Sequence, residues 1–495
     1  MRVCVCLCLA ATAAGFAPRP CFSRTKVSGS CSYGGDGGPL QSAIADSGAA
    51  LRRVENDDST DSLPIAKDVV AEAAVRLQPT FAEIDRHTQS MLRRVLDTFR
   101  CHQVGSSMFA GVDGYGHGDI GRDTLDAVYA ELLGAEAALV RVQCFSGTHA
   151  IACALFGALR PGDTLLACSG APYDTLDEVI GTRAPLTDAF DATGEDPLPP
   201  GLIGNLAEFG ISYSQVPLTE HCAFDLDAID AAIAADPAVK VLHVQRSCGY
   251  QWRKSLPIAE IERFCTHIRT RWLTRPDLVI FVDNCYGEFV EDREPPMVGA
   301  DLIAGSLIKN PGGTIARSGG YIAGKKALVR AAANRLAAPG VAGGATLGQN
   351  RNLYQGLFMA SGVVGESLKG ANLVAEVLGN GYQLPTNPAP GAARTDIIQA
   401  VQLGTRERTV AFCKVVQKLS PVNAYYRPEP GKTPGYGDEV IFADGTFTDG
   451  STLELSADGP LREPYAVYAQ GCTHWTHWAI ILEEALVQMG LARAE

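Results

Sequence analysis

The sequence has no uninterrupted apolar run of membrane-spanning length, which argues against a membrane partner. It has no basic excess. Its 42 Lys and Arg face 55 Asp and Glu, a formal net charge of −13. Without a positive field to gather phosphates, nucleic-acid partners are disfavoured. It has no Cys-x-x-Cys pair, so the spacing of a structural zinc site is missing and no metal site is expected. Five of the 15 cysteines fall in the first 31 residues, and the other ten stand singly. Those ten read as small buried apolar residues rather than a disulfide framework. No Gly-x-Gly-x-x-Gly turn follows the first expected strand, which removes a dinucleotide-binding oxidoreductase. There is no internal repeat.

What is present divides the 495 residues into four stretches. Residues 1–60 read as a targeting leader and linker. An apolar run over 3–14 is followed by Arg19, Arg24 and Lys26 with no acid before Asp36. The junction Ala13-Ala14-Gly15-Phe16-Ala17-Pro18 resembles a bipartite plastid leader, with a secretory or mitochondrial leader as the alternative. Residues 61–135 carry helical spacing over 65–99, a Gly-rich arm over 109–123 and a further helix. Residues 136–378 alternate short apolar strands with helices, which predicts an α/β fold with a mostly parallel sheet. Residues 379–495 change to Pro-rich turns and alternating strands, among them 439–442 and 451–455, with a closing helix over 475–489. That predicts a smaller C-terminal α+β domain.

In such sheets ligands bind off the carboxyl ends of the strands. The apolar run Val279-Ile280-Phe281-Val282 ends in Asp283, and the next strand ends in Ser306-Leu307-Ile308-Lys309 before Pro311-Gly312-Gly313. A carboxylate and a lysine at neighbouring strand ends are what pyridoxal 5′-phosphate (PLP) requires. Asp283 would pair with the pyridine nitrogen, and Lys309 would form the Schiff base and later move protons. Lys309 must then be partly unprotonated near neutral pH. Upstream, a strand, Ser146-Gly147-Thr148 and a helix start form a phosphate turn, with Ser306 beside it. Tyr173 would lie on the ring face. Arg394 and Arg462 are candidates for the substrate carboxylate, with Arg246 nearer the cofactor. Singly, each has a plain reading. Ser146 could be an N-cap, Asp283 a turn residue and Lys309 a surface lysine. Glu288 and Glu291 read as a solvated helix start, and His149 as packed.

Several runs resemble the methionine gamma-lyase-like proteins, also called aluminium resistance proteins, a branch of the PLP enzymes of Cys and Met metabolism. They are Gly114-Tyr115-Gly116 to Asp123, Ser146 to Ile151, Gly170 to Leu176, Gln245-Arg246-Ser247, Val282 to Phe289, Gly305 to Gly313, Arg394 to Gln399 and Glu454 to Pro460. The resemblance spans roughly 65–490. It implies the aspartate-aminotransferase-like fold (fold type I), PLP on Lys309 with Arg246 and Ser247 at the cofactor, and a homodimer or homotetramer. It also implies that Tyr115 reaches a neighbouring subunit's cofactor phosphate. His117 and Cys248 depart from the family pattern. The expected activity is carbon–sulfur lysis of a sulfur-containing amino acid, of the methionine gamma-lyase or cystathionine beta-lyase type. Transamination, or a non-catalytic PLP-binding role in metal tolerance, is the alternative.

Overall fold

The computed structural model describes residues 63–183, 198–341, 343–433 and 435–494. The leader expected over 1–60 and most of the loop expected over 191–200 lie outside these residues. Helices α1 (Ala66–Arg76) and α2 (Gln78–Cys101) open the described chain. The arm follows, then α3 (Ile120–Leu133), capped by the Asp119 side chain, which accepts from Arg122 N–H.

The sheet strands then alternate with helices. They run β1 (Ala137–Arg141), α4 (Gly147–Ala158), β2 (Thr164–Ala167), α5 (Asp174–Ile180), β3 (Ser212–Gln215), α6 (Leu226–Ala235), β4 (Val239–Gln245), α7 (Ile258–Arg271), β5 (Val279–Asp283), β6 (Leu302–Ser306) and β7 (Gly320–Gly324). The spatial order is β1-β7-β6-β5-β4-β2-β3. Only β7 is antiparallel to its neighbours. β5 is buried at every position. It lies centrally with helices on both faces, which is why it reads as a continuous apolar run rather than an alternating one. Asp283 pairs in register with Gln245 of β4 and Ala304 of β6. The carboxyl ends of β5 and β6 are therefore neighbours.

The chain continues through α8 (Lys326–Leu336) and α9 (Asn350–Ala375) to a second, five-stranded antiparallel sheet. Its strands are β8 (Thr386–Asn387), β9 (Ile398–Gln402), β10 (Val440–Ala443), β11 (Ser456–Pro460) and β12 (Ala466–Gln470), with α10 (Arg406–Lys418) and α11 (Thr476–Gln488) packed on one face. The strand expected over 451–455 is instead a turn, and the strand begins at Ser456. The alternating Ser-Thr-Leu-Glu-Leu pattern is misleading because the Glu454 carboxylate accepts the Phe447 and Thr448 N–H groups at 2.7 and 3.2 Å. That closes 447–454 on itself.

Helix α9 holds the Lys309 loop from behind. Gly313 takes φ +52°, and a Cβ on Gly356 would overlap the Gly312 carbonyl oxygen. The glycines are required by this close approach of two backbones. Gly356→Ala is expected to destabilise by about 1–3 kcal/mol through overpacking. A thermal melt that superimposes on the wild type would contradict this contact.

Candidate active site

The anion turn forms where β1 gives way to α4. Ser146 is extended, at φ −159° and ψ 175°, and its Oγ accepts the His149 N–H at 3.1 Å. The remaining N–H groups of the first turn have no helical partner. A Cβ on Gly147 would stand 3.0 Å from Ser306 Cβ, so the turn lies directly against the end of β6. Thr148 shares a hydrogen bond of 2.9 Å with Thr175 at the start of α5. His149 Nδ1 accepts the Phe145 N–H at 2.9 Å, and burial lowers its pKa, so it stands as a neutral imidazole.

Asp283 is buried, and its Oδ1 accepts the Cys285 N–H at 3.1 Å. Beneath it lies His243, also buried, with neither ring nitrogen hydrogen-bonded. Burial pushes that imidazole down to about 4, against the pull of Asp283. The chain then turns through Tyr286 at φ +71°, a left-handed conformation rarely taken by an aromatic residue. The Asn310 amide, one residue past Lys309, donates to the Tyr286 and Glu288 carbonyls at 3.0 Å each. This ties the loop after β5 to the loop after β6.

Lys309 Nζ sits 4.1 Å from the centre of the Tyr286 ring. Burial alone would lower its pKa. The thiol of Cys285, the phenol of Tyr286 and the carboxylate of Asp283 outweigh that and hold it above the ordinary lysine value. Lys309, expected to be partly unprotonated near neutral pH, thus stands among groups that favour its protonated form. Its near neighbours are acids, and it has to lose a proton before it can act as a nucleophile.

Tyr173 is the residue just before α5 and faces a group of phenols. Its hydroxyl is 2.9 Å from that of Tyr436, and its ring meets Tyr250 edge-on at 5.4 Å. Tyr250 donates to Asp458 Oδ2 at 2.9 Å. Burial, with Tyr436, Tyr286 and Asp458 nearby, raises the Tyr173 pKa well above the ordinary value, so it stays protonated. Tyr436 and Tyr250 were given no role from the sequence, and Asp458 entered only as part of a run. They come from distant stretches that no local spacing links.

Arg394 and Arg462 differ. Arg462 pairs with Asp438 at 2.5 Å and approaches Asp174 at 4.0 Å. Arg394 donates from Nη2 to Ala371 O at 3.0 Å and Gln399 Oε1 at 2.5 Å, while its buried Nε and Nη1 have no partner. Burial lowers its pKa to about 10, so it remains a cation with two open donors. Tyr115 is 68% exposed and stacks on His117, with its carbonyl held by the Gly344 N–H. Ser247 and Cys248 are buried beyond β4. Burial, with Asp396 nearby, pushes the Cys248 thiol up to about 12.

Arg246, expected nearer the cofactor, has both terminal nitrogens taken by side chains of the chain itself and only Nε unpartnered. It is fully buried, with Nη2 on Glu291 at 2.7 Å and Nη1 on Asn284 Oδ1 at 2.8 Å, and Glu294 lies 3.5 Å away. Nor do Glu288 and Glu291 start a solvated helix. Glu291 accepts the first N–H of α7, that of Ile258, and Glu288 is wholly buried and accepts from Tyr321 at 2.7 Å. An anion turn, an amine, a buried carboxylate and a guanidinium with open donors fit PLP and an amino-acid carboxylate.

The architecture is that of the fold type I PLP-dependent enzymes. The Escherichia coli PLP-dependent protein YhfS shares the fold, with a TM-score of 0.52 at 17% identity over 82% of this chain and 97% of that one. The chain belongs to the methionine gamma-lyase family, whose model matches residues 66–490. It is 45% identical to Bacillus subtilis YnbB over 416 residues, 83% of this chain and 94% of that protein. A solved carbon–sulfur lyase involved in aluminum resistance from Clostridium novyi is 39% identical, with a TM-score of 0.77 over 85% of this chain and 96% of that one.

The buried acid makes a pH prediction. Burial raises Glu288 from 4.5 to about 8. A carboxyl with a raised folded pKa contributes stability that is complete below its unfolded value and lost as pH rises through the folded one. Glu288→Gln is therefore expected to gain stability relative to wild type between pH 4.5 and 8. Parallel Tm-against-pH curves would contradict it.

Proposed function

We propose that this chain is a PLP-dependent carbon–sulfur lyase acting on a sulfur-containing amino acid, of the methionine gamma-lyase or cystathionine beta-lyase type. The carrying observation is that Lys309, Asp283 and the α4 anion turn lie together at the carboxyl ends of β5 and β6. PLP bound there supplies an electron sink for the carbon next to the substrate's amino group. The first turn of α4, with Ser146, Gly147, Thr148 and Ser306, holds the phosphate. Asp283 keeps a proton on the ring nitrogen. Arg394 takes the substrate carboxylate through its unpartnered Nε and Nη1. Lys309 removes the proton from the α carbon. The carbon–sulfur bond then breaks with its electron pair going to sulfur, directly when sulfur is on the β carbon and after a β proton is also removed when it is on the γ carbon, and Tyr173 supplies the proton that leaves with the thiol. Water completes the conversion to a 2-oxo acid and ammonia.

The same reading makes the active form a homodimer or homotetramer in which Tyr115 reaches a neighbour's cofactor phosphate. Its exposure supports that role. The leader-like sequence of residues 1–60 supports a plastid location, with a secretory or mitochondrial one as the alternative.

The deciding experiment loads the protein with PLP and supplies L-methionine, L-cystathionine and L-cysteine, following both 2-oxo acid and absorbance. Lys309→Ala is expected to abolish the lysine-linked cofactor band and the keto acid. A band that survives this substitution would sink the assignment. A band without keto acid would favour a non-catalytic binding protein in metal tolerance. Keto acid without released thiol would favour transamination. Arg394→Ala is expected to raise KM about 100-fold, the order expected for losing two charge-assisted hydrogen bonds. Arg462→Ala, already paired with Asp438, should change KM far less.

A further inference from the structure

We propose that Tyr436, on the segment leading into β10, is a positioning residue that fixes the Tyr173 hydroxyl. This role rests on the lyase reading, in which Tyr173 gives a proton to the departing sulfur.

The phenol pair is direct, at 2.9 Å between hydroxyls. The Tyr436 ring is boxed in by three others. It stands edge-on to Tyr173 at 6.0 Å and 85°, stacks on Tyr250 at 5.8 Å and 28°, and meets Phe442 at 5.5 Å. Tyr250 has committed its hydroxyl proton to Asp458, whose Oδ2 also accepts Gln470 and whose Oδ1 accepts Ser456. The Tyr436 hydroxyl is not bonded to Asp458 and lies within hydrogen-bonding reach of both Tyr173 and Tyr250. A phenol carries one proton and rotates freely unless a partner holds it. Either phenol can donate across this bond; when Tyr436 donates, the Tyr173 proton is left for Tyr250 or for the pocket.

The backbone around Tyr436 is pinned to the same frame as the anion turn. Arg183 Nη2 donates to Gly435 O at 2.8 Å and to Asp174 O at 3.0 Å, bridging this segment to the start of α5. Gly435, at φ +86°, lies so close that a Cβ would stand 3.1 Å from Thr175 Cγ2. Thr175 is the residue hydrogen-bonded to Thr148 of the anion turn. The C-terminal segment, α5 and the phosphate cradle are thus linked by consecutive contacts. A glycine at 435 lets the segment approach without strain.

The test uses Tyr436→Phe, Tyr173→Phe and the double variant of the full chain. Phenylalanine keeps the ring packing and removes only the hydroxyl. In cofactor-free protein the two Tm losses should be non-additive, because either substitution already breaks the shared bond. In PLP-loaded protein with L-cystathionine, Tyr436→Phe should lower kcat about tenfold while KM stays within about twofold, the pattern of lost orientation rather than lost binding. Additive Tm losses, or an unchanged kcat, would overturn the proposal. If the wild type releases no keto acid from L-cystathionine, L-methionine or L-cysteine, the lyase reading falls and this role falls with it. The stability cycle would then report only whether the phenols are bonded.

Discussion

The site depends on one amide. Asn310 donates to the carbonyls of Tyr286 and Glu288, and so binds the loop after β5 to the loop after β6. Asp283 and Lys309 stand on opposite sides of this clasp. Parallel register alone places their strand ends side by side, but loops beyond strand ends are the parts of such a sheet most free to move. The clasp removes that freedom. It also explains how an aromatic residue is kept at φ +71°, since such backbone persists only where surrounding contacts over-determine it. Tyr286 in turn offers its ring to the Lys309 ammonium. The same few contacts therefore set both the spacing of the two groups and the direction of the lysine.

Much of this was legible in the sequence. β5 was visible because burial on both faces leaves an uninterrupted apolar run, and its end at Asp283 was marked by the change to polar residues. The anion turn was readable because strand, small hydroxyl residues and helix start are contiguous. What the sequence hid was every decision made by distant partners. Arg246 looked like a binding guanidinium until Asn284, Glu291 and Glu294 were found around it. Arg394 and Arg462 were equivalent on paper. They separate only because Asp438 occupies one and nothing occupies two donors of the other. Tyr436 had no signal at all, because its partner lies 263 residues away.

Correcting Glu288 changes the electrostatic picture most. Read as solvated, it would be an anion close to a site that has to attract a phosphate and a carboxylate. Buried, it has a pKa of about 8 and is mostly neutral at pH 7. The phenols of Tyr173, Tyr250 and Tyr321 are likewise held protonated by burial. Glu288 thus adds little negative charge beside the site, and the positive features stand out more clearly. Those features are the start of α4 and Lys309, together with Arg394, whose Nε and Nη1 have no partner. An amino acid attached to a phosphorylated cofactor presents its anionic groups at separate points. On the reading proposed above, the three would meet the cofactor phosphate, the substrate's amino group and its carboxylate in turn, each with the group its chemistry suits.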